Sequence, residues 1–467
     1  MPSPARLAAY RALMAVDLGR ADLPTALADT REALADSRDR TLTAEIVTGT
    51  LRWQAQLDAL IAHFGRRPVE KLDREVVVLL RLSAYQLVHL ARVPAAAATD
   101  DAVSLVRRAR KASAAGFVNA VLRALGRHRH ALPLPPVPGA DVLARLDRDD
   151  GARSEALAYL SITLSHPRWL VSRWLDRYGF DAAARWAAFN NAPAPLTLRA
   201  NTLKTTAAAL GERLRSFDVQ TAAARFAPDG LVVTAGNPLR TPLADSGAFL
   251  VQDEASQLVA LLAAAAPRES VLDCCASPGG KTAAMAASMG DTGLLVAGDV
   301  RTRRVDLLRT IVEASGATRV RLVQFDAAEP PPFIGAPFDL VLLDAPCSGL
   351  GTIRRDPDIR WRRQEDDLSR FAEAQRRMLD RASAVVRPGG RLVYATCSSE
   401  PEENDEVVAA FLRGHEAFGL ERPDTPGLAA VLDDAGTLRT SPVDHGLEAF
   451  YGAVLRRSRP RAGERQG

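Results

Sequence analysis

Residues 270–282 read Ser-Val-Leu-Asp-Cys-Cys-Ala-Ser-Pro-Gly-Gly-Lys-Thr, a short apolar run that ends at Asp273 and passes into a tight, glycine-containing turn. The pattern predicts a strand turning directly into a helix. Small residues in such a turn let a ligand approach the backbone, and the helix start offers free N–H groups to a carboxylate or phosphate. The ending Gly280-Lys281-Thr282 invites comparison with a phosphate-binding loop. That loop needs glycine where Cys275 stands, so a nucleoside triphosphatase is excluded. Taken alone, the stretch also suits a plain strand-to-helix turn.

The same rhythm continues downstream. GLLVAGDV (293–300), VRLVQFDA (320–327), FDLVLLDAPCS (338–348), GGRLVYATCSS (389–399) and EAFYGAVLRR (448–457) are β-rich runs separated by helical stretches. Such alternation predicts an α/β domain over residues 246–458, with a mainly parallel, doubly wound sheet. Ligands of these sheets bind beyond the carboxyl ends of the strands. Asp299 closes the second strand, where a carboxylate accepts from two ribose hydroxyls. Asp326 closes the third, where one can accept from an adenine amino group. Either residue alone also suits an N-cap or turn. Three strand ends in order describe a site for an adenosine-containing cofactor. The fourth and fifth strands end in Asp344-Ala345-Pro346-Cys347 and Thr396-Cys397, which would bring two thiols and a carboxylate together beside that cofactor. A lone cysteine is commonly buried and inert. Two at ligand-side strand ends favour reactivity.

Working upstream, the first 273 residues contain no cysteine; the four in the chain are Cys274, Cys275, Cys347 and Cys397. This rules out a disulfide framework over most of the chain, and the spacing lacks the pairs of a zinc site, so no metal is expected. With 467 residues, 47% hydrophobic and 25% charged, the composition is globular and long enough for several domains. The longest apolar run, Leu258 to Ala266, falls short of the ~20 residues a spanning helix needs. The start MPSPARLAAYRALMAVDLGR has no signal-peptide core. A cytoplasmic protein without a membrane partner is expected, and nothing indicates an oligomer.

Residues 1–130 carry apolar positions at helical spacing, among them Val76, Leu79, Leu80, Leu87 and Leu90, and predict an all-α domain. The run ALPLPPVPG, with Pro133, Pro135, Pro136 and Pro138, cannot continue a helix and predicts an extended linker, drawn as residues 131–154. A small α+β accessory region follows over 155–245. In it Trp169, Trp174 and Trp186 alternate with Arg168, Arg173, Arg177 and Arg185, a mixture that suits base stacking and phosphate pairing as well as an ordinary core beneath solvated arginines. Formal net charge is +4, yet residues 1–130 hold 20 Lys+Arg against 13 Asp+Glu, a local surplus of seven that favours a polyanionic partner. An arginine-rich tail over 459–467 is expected to be disordered.

CASPGGKT, DAPCSGLGTIRRDPDIRW and YATCSSEPEEN resemble the signature motifs of RNA cytosine-5 methyltransferases that use S-adenosylmethionine. SHPRWLVSRW, LRANTLK and VQDEASQL are similar to the accessory region of that family, and LLRLSAYQL and GFVNAVLR to the helical domain shared with the antitermination factor NusB. The combination resembles the bacterial small-subunit ribosomal RNA methyltransferases of the Sun/Fmu (RsmB) type. The resemblance implies a NusB-like domain, an accessory region and a Rossmann-like catalytic domain acting on RNA.

Carbon 5 of cytosine is too weak a nucleophile to take a sulfonium methyl unaided, so a thiolate first adds to carbon 6. Chemistry alone leaves Cys347 and Cys397 both open for this role. The resemblance implies Cys397 as nucleophile, Cys347 in proton loss and release, and Asp344 against the ring edge near nitrogen 3. It also implies a cofactor cradle of Cys275, Ala276, Ser277, Pro278, Gly279, Gly280 and Lys281, with Asp299 on the ribose, Asp326 on the adenine and Arg304 close by; Asp344 borders the same cradle. Ser277 stands where the family commonly has alanine, and Cys274, commonly a larger apolar residue there, reads as packing. For RNA contacts the candidates are Arg354, Arg355 and Trp361 after the Cys347 loop, and Arg107, Arg108, Arg110 and Lys111 in the first domain, each also readable as ordinary surface. Two other functions compete: the same chemistry on transfer RNA or another RNA, and a NusB-like RNA-binding or antitermination factor with an inactive catalytic domain.

Overall fold

The computed structural model describes residues 2–333 and 337–459; apart from Arg459, the tail expected to be disordered lies outside the described residues. The chain forms two compact units, Met1–Pro193 with Ile353–Glu365, and Ala194–Thr352 with Asp366–Gly467.

The first unit is helical. Its core gathers the apolar faces of helices Pro4–Asp17, Leu23–Ala33, Ser37–Arg52, Gln54–Gly65, Arg74–His89, Ala95–Arg108 and Ala115–His128. Helix Arg74–His89 is buried along most of its length because neighbours cover it on several sides. Gly49 permits one of these crossings: a Cβ there would lie 1.9 Å from the Tyr85 ring, whose hydroxyl donates to Glu45 Oε1 at 2.6 Å. The proline-rich stretch is extended, as proline's fixed φ and missing N–H dictate. It is also packed, with Leu132 and Leu134 against the helical core. Helix resumes inside the stretch drawn as linker, at Ala140–Leu143 and Asp150–Ala158. The second starts where Asp149 Oδ1 accepts from Gly151 N and Ala152 N, an N-cap that fixes its first turn. Helix Arg168–Asn191 follows, interrupted at Gly179 (φ +74°). Trp174 and Trp186 are buried and stack at 5.4 Å between centroids.

The second unit holds two sheets. The smaller is antiparallel, in the order β2-β3-β1-β4, from β1 (Thr197–Ala200), β2 (Gln220–Ala223), β3 (Gly230–Ala235) and β4 (Phe249–Val251). The larger contains β5 (Ser270–Asp273), β6 (Leu294–Asp299), β7 (Val320–Gln324), β8 (Phe338–Asp344), β9 (Val386–Thr396), β10 (Phe418–Glu421), β11 (Leu438–Arg439) and β12 (Tyr451–Arg457). Its order is β10-β12-β9-β8-β5-β6-β7, with β11 paired to β12. Pairings among β5 to β9 are parallel, and β12 is antiparallel to β9. Both faces are covered. In β8, Leu340 and Leu342 join one core with helix Glu254–Ala263, and Val341 and Leu343 the other with helix Asp367–Ala384. That two-sided burial explains why β8 reads as an unbroken apolar run. The strand order reverses between β5 and β8, which opens a crevice at their carboxyl ends. No described helix is long and apolar enough to cross a membrane.

Candidate active site

The crevice at that reversal is a cavity of about 230 Å3, and the ends of β5, β6, β8 and β9 and the residues after β7 supply its walls. After β5, Gly279 takes φ +114°, a conformation L side chains avoid, and a Cβ there would press on Leu308 and Ile311. Helix Gly280–Ser288 starts from this turn. Cys275 and Ser277 line the cavity, whereas the Lys281 side chain reaches across to Asp344, Nζ to Oδ2 at 2.6 Å. Burial opposes the Lys281 charge, but the Asp344 carboxylate, and behind it Cys397, holds its pKa above the ordinary lysine value.

Asp299 is buried at the end of β6, its Oδ1 accepting from Val300 N at 2.9 Å and its Oδ2 from Ser277 N at 3.3 Å. Arg304 approaches from the rim, Nε 3.4 Å from Asp299 Oδ2 and a terminal nitrogen 3.4 Å from Ser277 O. Asp326 lines the same cavity and accepts from Ala328 N at 2.9 Å. Val300, Phe325 and Met378 contribute apolar wall. Cys347 Sγ and Cys397 Sγ lie 3.2 Å apart on loops following β8 and β9. The hydrogen bond with Cys397, with burial and the nearby Glu403 charge, pushes the Cys347 thiol well above its ordinary pKa. Cys274 is buried in the sheet core, and burial pushes its thiol up; burial does the same to Cys275. Among the described residues, no cluster of three or more His, Cys, Asp or Glu is arranged to hold a metal.

The cavity therefore gathers Cys275, Ser277, Asp299, Arg304, Asp326, Asp344, Cys347 and Cys397, with Lys281 attached through Asp344. Arg354, Arg355 and Trp361 belong to the helical unit. There Trp361 Nε1 donates to Leu51 O at 2.6 Å, and the Arg354 guanidinium lies 4.2 Å from the Phe189 ring centroid and donates to Ala192 O and Pro193 O. Arg107, Arg108 and Arg110 are exposed at the end of helix Ala95–Arg108; Lys111 is paired with Asp73 at 3.0 Å and Glu75 at 3.7 Å. Sequence reasoning gave no role to Asp273, buried with one oxygen bonded by Thr282 Oγ1 at 2.7 Å and the other without a hydrogen-bond partner, or to Glu403, enclosed beside both cysteine loops. The signal for Glu403 was its place in the Glu402-Glu403-Asn404 run six residues after Cys397.

A seven-strand core of this order, with carboxylates at successive strand ends and paired thiols at the reversal, defines a Rossmann-like methyltransferase domain. Residues 260–456 match the family described as 16S rRNA methyltransferase RsmB/F, residues 3–127 the NusB family, and residues 166–240 the ferredoxin-like domain of RsmF/B-like methyltransferases. The chain is 34% identical to the probable ribosomal RNA small subunit methyltransferase B of Bacillus subtilis over 90% of its length and 91% of the relative's. It is 37% identical to ribosomal RNA small subunit methyltransferase B of Pseudomonas syringae pv. tomato over 87% and 86%. The crystal structure of PH0851 superposes with a TM-score of 0.77 at 26% identity, covering 97% of this chain and 99% of that one. The chain belongs to the RsmB/F family of methyltransferases, and its substrate is RNA.

Proposed function

We propose that this protein transfers the methyl group of S-adenosylmethionine to carbon 5 of a cytosine in small-subunit ribosomal RNA through a covalent Cys397 adduct. The observation that carries the reading is the 3.2 Å separation of the Cys347 and Cys397 sulfurs beside the Asp344–Lys281 pair. The named small-subunit methyltransferases among the relatives support the choice of RNA. The cofactor supplies an electrophilic methyl on a sulfonium. The cavity suits such a group: Asp299 can accept from vicinal ribose hydroxyls, Asp326 from an adenine amino group, and Val300, Phe325 and Met378 offer apolar surface to a ring.

The Cys397 thiolate forms a bond to carbon 6 of the flipped-out base, and the displaced π electrons make carbon 5 nucleophilic. Asp344 faces the nitrogen 3 edge, and the Lys281 ammonium behind it stabilises negative charge as it spreads into the ring. After methylation, Cys347, having passed its own thiol proton to solvent, takes the proton from carbon 5 as a thiolate. The electrons restore the 5,6 double bond and expel the Cys397 sulfur. The raised pKa of Cys347 supports this division, since its thiol holds its proton during the addition and, once ionised, is a strong base toward carbon 5.

Replacing each thiol tests the assignment. Cys397→Ala is expected to lose methyl transfer entirely, and Cys347→Ala to accumulate a protein–RNA adduct that survives denaturing electrophoresis. An active Cys397→Ala variant would falsify the nucleophile. Bisulfite sequencing of ribosomal RNA from a deletion strain is expected to show one methylcytosine missing from the small subunit; loss from transfer RNA instead would overturn the substrate.

A further inference from the structure

Six residues after the Cys397 sulfur lies a carboxylate that the mechanism above does not use. Glu403 has no exposed surface, and four donors converge on it. Its Oε1 accepts from Ser348 N at 2.7 Å and Gln375 Nε2 at 3.0 Å. Its Oε2 accepts from Ser348 Oγ and Ser398 Oγ, both at 2.5 Å. Ser348 directly follows Cys347, and Ser398 directly follows Cys397. One side chain thus ties together two loops 50 residues apart in the chain, each at the residue adjoining a thiol. The neighbouring residue completes the fastening: Asn404 Nδ2 donates to Ser398 O at 2.9 Å and its Oδ1 accepts from Thr396 Oγ1 at 2.5 Å, which grips Cys397 from both sides.

We propose that Glu403 is a positioning residue for both thiols, its buried carboxylate joining the Cys347 loop to the Cys397 loop through Ser348 and Ser398. A buried carboxylate is costly unless its lone pairs are met. Here three of the four donors come from the two loops whose spacing matters and the fourth from Gln375 on helix Asp367–Ala384, and charge-assisted bonds of this kind are short and strong. A neutral hub would hold the same atoms more loosely. The charge also acts on one of the sulfurs: after the Cys397 hydrogen bond and burial, Glu403 helps raise the Cys347 pKa, which favours the protonated Cys347 thiol. The role rests on the reading of Cys347 and Cys397 as working thiols.

The test uses the full chain and iodoacetamide, with alkylation of each cysteine followed by peptide mass spectrometry. In the unmodified protein Cys397 is expected to react faster than Cys347. In Glu403→Gln the ratio of the two rates is expected to shrink by about tenfold, because losing the carboxylate charge eases ionisation of the Cys347 thiol. In the methylation assay kcat is expected to fall on the order of 10- to 100-fold as the sulfurs lose register, with KM for RNA unchanged. If Glu403→Gln does not fold, Ser398→Ala cuts a single arm of the hub, and the same ratio is read there. A folded variant that keeps both the unmodified alkylation ratio and the unmodified kcat overturns the proposal. Alkylation needs no RNA, so a chain that transfers no methyl group to cytosine but still shows the altered ratio overturns the methyl-transfer reading and leaves the positioning role standing.

Discussion

Asp273 lies at the carboxyl end of β5, fully enclosed, with Thr282 bonded to one oxygen and no hydrogen-bond donor at the other. Burial pushes its pKa up to about 7, against the Thr282 bond and with help from the Asp344 charge. In the unfolded chain the same group ionises near 3.8. Between those values the folded chain holds a proton that the unfolded chain has released. The stability tied to this group is therefore complete below the lower value and is lost as pH rises through the upper one. The loss amounts to a few kcal/mol, at about 1.4 kcal/mol per pKa unit. Asp273→Asn removes the titration but retains an acceptor for Thr282. In urea unfolding at pH 5 and pH 8, the variant is expected to gain on the unmodified protein at the higher pH; parallel curves would refute the assignment. The motif around Asp273 was readable from sequence because a turn between strand and helix is encoded locally by Pro278, Gly279 and Gly280. The proton on Asp273 was not, because its cause is what encloses it: sheet neighbours and an Asp344 carboxylate 71 residues away in the chain.

At the scale of elements, the same contrast separates the parallel strands from the segment after the Cys347 loop. Runs such as Leu340–Leu343 were legible because burial on both faces demands continuous apolar residues, a condition written along the strand itself. The short helices Ala140–Leu143 and Asp150–Ala158 were not, since nearby prolines dominate the local pattern and only the Asp149 cap marks the restart. For Arg354, Arg355 and Trp361, arginine and tryptophan together read as stacking and phosphate pairing. A side-chain pattern cannot distinguish a base from a carbonyl oxygen as the partner. Within the helical unit, the indole N–H meets Leu51 O, and fully buried Arg360 donates to Ser165 O at 2.8 Å and Asn191 Oδ1 at 3.0 Å. Trp361→Phe removes the donor and strands the Leu51 carbonyl, which is expected to lower unfolding stability by about 1–3 kcal/mol in a denaturant titration. RNA affinity in a filter-binding assay is expected to stay unchanged. Weaker RNA binding at unaltered stability would instead restore the stacking role.

Across the whole molecule, the charge is close to balanced at +4, yet the first 130 residues hold a surplus of seven. A polyanion responds to local charge more than to the total, because screening confines attraction to about 8 Å at physiological salt. Within the basic cluster the four candidates are not equivalent. Lys111 already faces Asp73 and Glu75, so much of its field is spent inside the protein, whereas Arg107, Arg108 and Arg110 are exposed. If these three arginines meet phosphates, each contact with a single strand contributes roughly 0.7 to the slope of log affinity against log salt concentration. Replacing all three with glutamine is then expected to flatten that slope by about 2, measured by fluorescence anisotropy with a ribosomal RNA fragment from low to moderate salt. Methyl transfer at saturating RNA is expected to keep its rate, because the cluster lies in the helical unit and the thiols, Asp344 and the cofactor cavity all lie in the other. A Lys111→Gln variant separates the two explanations of the surplus: if the arginines bind RNA and Lys111 serves the fold, it lowers unfolding stability and leaves the salt slope intact. An unchanged slope in the triple variant would assign the cluster to a solvated helix end.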